Sequence, residues 1–190
     1  MAYTALELAN AFILSGELED AIEALGPEME QHPSDELWRL RADIYRRMER
    51  YAEALADLGR LTQVETDDRV IESIIRERMG DEAGAIHSME VALALAPDRA
   101  RYHERILYLY QKVADWQGAR AHLAGLAAEW RWYDWQGDIE AADGHPEQAY
   151  QAYEAALGLL KAIEERVQDP ILGQIVKQIM EKRDSLAEAF

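Results

Sequence analysis

The chain has no cysteine among its 190 residues, which removes disulfides and thiolate metal sites from consideration. Long apolar runs are missing too. Ile106–Tyr110 is typical of the short stretches present, and nothing approaches the length needed to cross a bilayer. The opening Met-Ala-Tyr-Thr-Ala-Leu-Glu carries no basic segment, so no signal peptide is expected and a cytoplasmic location is the default. Positive charge is scarce: the formal net charge is −17. Phosphate backbones would be repelled, which excludes nucleic acid as a partner. Residues 1–38 hold nine acids and no Lys or Arg, whereas Arg39, Arg41, Arg46, Arg47, Arg50 and Arg60 follow closely. This asymmetry suits an acidic segment lying against a basic one, or a surface that meets a basic partner.

Catalytic motifs are also lacking. The five histidines stand at 32, 87, 103, 122 and 145, well separated along the chain. His103-Glu104 begins like a zinc-protease helix, but Leu107 stands where a second histidine is needed. Asp67-Asp68 lacks the alternation and glycine of a calcium loop. No glycine-rich phosphate loop occurs, Ser88 is not in a nucleophile elbow, and Glu164-Glu165 reads as solvated helix surface. No metal, cofactor or enzymatic activity is expected. A site assembled only in space would escape such a search and is the remote alternative.

What the chain does have is a repeat. With Ala85 as an anchor, counterparts stand at Ala21, Ala54, Ala119 and Ala149, spaced 33, 31, 34 and 30 residues apart in chain order. Four residues after each anchor comes a larger apolar residue: Leu25, Leu58, Met89, Leu123 and Tyr153. Twelve residues before each come Ala9, Ala42, Ser73, Leu107 and Gly137, small in four cases of five. Apolar residues four apart share one helix face. A small residue opposite an alanine lets two antiparallel helices approach closely. Each unit therefore reads as helix A, a tight turn and helix B.

These features resemble the tetratricopeptide repeat (TPR). The second copy carries the pattern in Trp38, Ala42, Tyr45, Tyr51, Ala54, Leu58 and Leu61. The first offers Ala9, Phe12, Gly16, Ala21, Leu25 and Pro33, and the fifth Gly137, Gly144, Ala149, Tyr153 and Ala156. In the third copy Arg69, Glu72 and Arg76 stand where the family usually has apolar groups, so its first helix looks irregular. The resemblance implies an all-α, right-handed solenoid of antiparallel helix-turn-helix repeats. Five hairpins would occupy 1–168, at about 2–34, 35–65, 66–99, 100–129 and 130–168, and a capping helix 169–190.

Local signals agree. Thr4-Ala-Leu-Glu7 is a capping box, Ser34 or Asp35 caps the second helix A, and Asp169-Pro170 starts the last helix. Trp130-Arg-Trp-Tyr-Asp-Trp135 is the least ordinary segment. Its aromatics point to both sides of a helix, as core filler or as an exposed hot spot.

The resemblance also implies a non-catalytic interaction module, an adaptor or scaffold, holding a peptide or protein segment in a groove lined by the A helices. The groove candidates are Asn10, Arg39, Asp43, Arg46, Ile74, Tyr108, Gln111, Trp135 and Asp138. A partner of basic character is expected, and neither nucleic acid nor membrane. A clamp for a partner's C-terminal carboxylate is not expected, because Leu6, Val70 and Ile74 stand where the family's clamp has polar or basic groups. The alternative is a homo-oligomer assembling through the acidic first repeat or the last helix.

Overall fold

The computed structural model describes residues 3–167 and 169–186. Met1, Ala2, Gln168 and 187–190, the extreme ends expected of the first and fifth repeats and of the cap, lie outside them. The described residues form eleven α-helices and no strand: α1 Ala5–Ser15, α2 Leu18–Gln31, α3 Asp35–Arg47, α4 Tyr51–Leu58, α5 Thr66–Arg78, α6 Glu82–Leu95, α7 Ala100–Lys112, α8 Trp116–Ala124, α9 Trp130–Ala142, α10 Pro146–Glu164 and α11 Pro170–Leu186. They divide into two compact units, Met1–Ile106 and Leu107–Phe190.

One turn recurs five times. Gly16, Glu49, Gly80, Ala114 and Gly144 all have positive φ, between 56° and 83°. The residue after each, namely Glu17, Arg50, Asp81, Asp115 and His145, opens helix B with ψ between 67° and 73°. Its N–H donates back to the carbonyl five residues earlier, on Phe12, Tyr45, Arg76, Tyr110 and Glu140, at 2.8–2.9 Å. The left-handed residue itself donates to Ile13, Arg46, Glu77, Gln111 and Ala141. Both bonds of the Schellman motif are thus present each time, satisfying carbonyls that the end of helix A would otherwise leave bare.

Because the turn is constant, the next residues meet the same surroundings. Ala21, Ala54, Ala85, Ala119 and Ala149 are each 0% exposed. So are Ala9, Ala42, Ser73 and Leu107 across from them, and Gly137 is buried. Of the larger partners, Leu25, Leu58, Met89 and Tyr153 are buried, and only Leu123 is half-exposed. Full burial of such a side chain contributes about 1.5–3 kcal/mol.

In the first unit the core is shared between consecutive hairpins. Ala9, Ala21, Leu25 and Met29 of α1 and α2 pack with Leu37 and Ile44 of α3. Ala42, Ala54 and Leu58 of α3 and α4 pack in turn with Ile75 of α5. In the second unit, Ala149, Tyr153, Ala156 and Leu160 of α10 pack with Ile179 of α11, flanked by Trp130 and Tyr133 of α9. The tryptophan segment is therefore largely core: Trp132 is buried and Trp130 sits against that cluster.

Helix α5 is regular over its 13 residues, contrary to the irregularity suggested by its charged slots. Glu72 accepts from Arg69 at 2.5 Å and from Arg76 at 2.9 Å. Burial raises the Glu72 pKa, but the two guanidiniums outweigh it and hold the carboxyl below its ordinary range.

Candidate functional site

The candidate groove residues fall on the A helices, and their charged members are heavily engaged. On α3, Arg39 forks onto Asp68 at 2.9 Å through both Nε and Nη2 and also donates to the Gln63 carbonyl at 2.7 Å. Asp68 is buried at 5% exposure and also accepts from the Glu65 N–H at 2.8 Å, closing a capping box at the start of α5. Arg39 thus fastens the second hairpin to the third. Asp43 lies between Arg46, at 2.5 Å, and Arg47, at 2.7 Å. Ile74 is half-buried and Asn10 exposed on α1.

The arginines after residue 38 draw on acids of their own and the following repeat. Arg41 forks onto buried Asp57 with two bonds of 2.7 Å and stacks on Trp38 and Tyr45. Arg50 bonds Glu53. Arg50 feels an acid of the first repeat, Glu19, at longer range. The acidic first repeat does lie against the second, through the apolar packing of α1 and α2 on α3, while these arginines pair with acids of the second and third repeats. Glu17, Glu19, Asp20, Glu23 and Glu30 are exposed. The basic segment spends its charge where bidentate geometry is available, on Asp57 of its own hairpin and on Asp68 of the next.

Beside Val70 on α5 a concavity of about 430 Å³ opens. Val70 and Ile71 make its apolar floor, and Arg101, Arg105, Asp67 and Tyr102 its polar walls. Tyr102 is buried and its hydroxyl donates to Asp67 at 2.7 Å. Arg105 pairs with Glu77.

In the second unit, Tyr108 is 42% exposed, while Gln111 and Trp135 are half-buried. Asp138 is committed within the chain. It accepts from the Tyr153 hydroxyl at 2.7 Å and from Lys182 of α11 at 2.9 Å, and Lys182 also reaches Asp134 at 2.8 Å. Burial, reinforced by Asp138, pushes the Tyr153 phenol well above its ordinary pKa. Helix α11 thus ties down the acidic stripe of α9.

A second polar cluster escaped the sequence reading. Glu140, Asp143 and His145 surround the last left-handed turn, and their donor atoms all lie within 4.8 Å of one another, the one such metal-type group among the described residues. Arg120 Nη2 stands among the three, at 2.7 Å from Glu140, 2.5 Å from Asp143 and 3.1 Å from His145 Nδ1. The guanidinium supplies the cation there. It also holds the Glu140 carboxyl below its ordinary range, although burial acts the other way. The signal available was the spacing Glu-x-x-Asp-x-His around Gly144, but nothing local announces that Arg120, 20 residues from Glu140, closes the group.

No protein-family model matches the sequence, and no curated protein does. Solved structures match over most of its length. MamA superposes with a TM-score of 0.67 at 15% identity, over 85% of this chain and 93% of MamA. YrrB, described as a TPR protein with an unusual peptide-binding site, gives 0.61 at 15% identity, over 90% of this chain and 88% of YrrB. The C-terminal part of a TPR repeat-containing protein from Cytophaga hutchinsonii gives 0.61 at 16%, over 95% and 78%. At such identities the likeness is one of fold. The chain has the tetratricopeptide-repeat fold. No helix among its described residues is long and apolar enough to cross a membrane.

Proposed function

We propose that this protein is a cytoplasmic, non-catalytic adaptor that holds a peptide segment of a protein partner along the A helices of its first unit, α1, α3 and α5. The carrying observation is the concavity beside Val70 and Ile71. Val70 belongs to the stripe that, in this reading, continues through Asn10, Asp43, Arg46 and Ile74. Repeat surfaces of this kind recognise partners by extended contact rather than by chemistry. YrrB, which shares the fold, is described by a peptide-binding site.

In this reading the five hairpins occupy about 2–34, 35–65, 66–99, 100–129 and 130–168, and 169–190 caps the last of them. The exposed acids of the first hairpin favour a partner with basic character, drawn in by a chain of net charge −17. The test is affinity capture with the intact chain and with Asp43→Ala/Arg46→Ala, which removes both halves of one ion pair. Loss of a partner from the variant, with helical content unchanged, supports the groove. Undiminished capture moves the site to another face.

A second reading has its own observation. Leu14 is 89% exposed and Tyr3 80% at the start of the chain, and Ile171 is 64% exposed on α11. Exposed apolar side chains of this kind suit self-association. Light scattering across a salt and concentration series tests it: a monomer throughout removes this reading.

A further inference from the structure

The last B helix, α10, is longer than its counterparts, 19 residues against 14, 8, 14 and 9. Trp130, which opens α9, packs with Leu157 against the cluster around Leu160, so the final turns of α10 run past the start of its hairpin partner. One side of this overhang is covered: Leu160 is fully buried in the cluster with Ile179 of α11. The other side is not. Leu159, Ile163 and Val167 are exposed and stand four residues apart, one stripe along about 12 Å of helix. With Trp130 they wall a concavity of about 460 Å³.

Two groups of opposite sign stand in the same concavity, Glu129 just before α9 and Arg166 near the end of α10. They do not pair with each other. The Arg166 guanidinium has no hydrogen bond or ion pair among the described residues, and Glu129 has a loose contact of 3.7 Å with Arg131. An apolar stripe flanked by an unpaired base and a loosely held acid is complementary to itself. Turned about a two-fold axis, a second such stripe brings base to acid and acid to base. A foreign basic segment would be opposed by Arg166 and an acidic one by Glu129, so a segment of either sign gains less here than a second copy does.

We propose that this stripe is where a second copy of the chain docks, α10 against α10 and antiparallel. With the axis at Ile163, Leu159 of each copy faces Val167 of the other, and the two Ile163 side chains meet. Arg166 of one copy then falls level with Leu160 of the other, at the end of the hairpin that bears Glu129. The patch is small and the dimer accordingly weak: interfaces below about 1,200 Å² hold transient complexes, and a Kd of about 0.1–1 mM is expected. Repulsion between copies of net charge −17 acts in the same direction, although at about 0.15 M salt it is screened beyond about 8 Å. All of these residues belong to the second unit, which keeps the dimer independent of the adaptor reading. It rests on the self-association reading and gives that reading a face.

The test is sedimentation equilibrium of the whole chain from about 10 μM to about 1 mM at that salt, a range that brackets the expected Kd. The parent chain should show a monomer–dimer equilibrium and nothing larger. Ile163→Asp, at an exposed position, places two carboxylates at the axis and should leave only monomer, with helical content unchanged. Glu129→Arg and Arg166→Glu should each weaken dimerisation at least about threefold. Their equimolar mixture should restore it, since both contacts in the mixed pair then join opposite charges. A parent chain that is monomeric throughout would overturn this proposal and the self-association reading together. A dimer that survives Ile163→Asp would overturn this face alone and move the contact to Leu14, Tyr3 or Ile171. Dimers indifferent to the charge swaps, or a mixture no tighter than the single variants, would overturn the two-fold arrangement. A monomeric parent that loses a captured protein on Ile163→Asp would overturn the second copy as occupant in favour of that protein.

Discussion

Replacing Gly137 by alanine should destabilise the second unit, although alanine is the better helix former by about 1 kcal/mol. A Cβ built on Gly137 would lie 2.3–2.7 Å from three ring carbons of Tyr153, far inside the usual 3.5–4.0 Å contact distance. The ring has little room to retreat. Tyr153 is 3% exposed, packed with Ala149, Ala156 and Ile179, and tied through its hydroxyl to Asp138. Overpacking of this kind costs about 1–3 kcal/mol, so the net loss should be up to about 2 kcal/mol after the helix gain. Repeat one shows the remedy: there the small slot holds Ala9 and the larger partner is Leu25, both fully buried. Tyr153→Leu should therefore rescue Gly137→Ala, with a coupling of at least about 1 kcal/mol in a double-mutant cycle. The assay is urea unfolding followed by helical circular dichroism, with the slope checked for constancy. A stabilising Gly137→Ala, or strict additivity of the pair, would refute the idea that a small residue seats the larger one.

Further outcomes follow from particular residues. The Ser73 hydroxyl is fully buried without a hydrogen-bond partner, so Ser73→Ala should stabilise by about 1 kcal/mol in the same assay. Glu49 and Ala114 occupy left-handed turns that hold glycine in the other three repeats. Relief of about 1–2 kcal/mol of backbone cost, less about 0.5–1 kcal/mol of added chain entropy, should leave Glu49→Gly and Ala114→Gly more stable by a few tenths to one kcal/mol. The Glu140 carboxyl has its pKa lowered by Arg120, so its stabilisation is complete above the unfolded value of about 4.3 and fades as pH falls through the folded value. An acid titration of stability should accordingly be shallower below about pH 4.3 in Glu140→Gln than in the parent chain. Equal slopes would mean that Arg120 does not favour the charged carboxyl.

The fold was readable because its signals are periodic. Ala21, Ala54, Ala85, Ala119 and Ala149 declare their equivalence by spacing, and Gly16, Gly80 and Gly144 mark three of the five turns. The other two were hidden, since Glu49 and Ala114 take a left-handed conformation that their side chains disfavour and only the surrounding turn imposes. Partnerships between hairpins were hidden for another reason. Arg39 with Asp68 and Lys182 with Asp134 are 29 and 48 residues apart, and each depends on the rotation of one helix against another. The same holds for Arg120 with Glu140. A stripe on one A helix can be read from one sequence. Which of its charges remain available to a partner depends on what the next helix brings.

The most direct measurement is hydrogen exchange at the backbone amides of Glu17, Arg50, Asp81, Asp115 and His145. Each lies outside the regular helices, and each donates at 2.8–2.9 Å to the end of the preceding A helix. Five equivalent turns should protect all five amides about as well as the adjoining helical turn, to be lost only when the hairpin opens. Fast exchange at several of them, beside protected helices, would mean that the A and B helices are joined by unlike loops and that the chain is not one motif repeated.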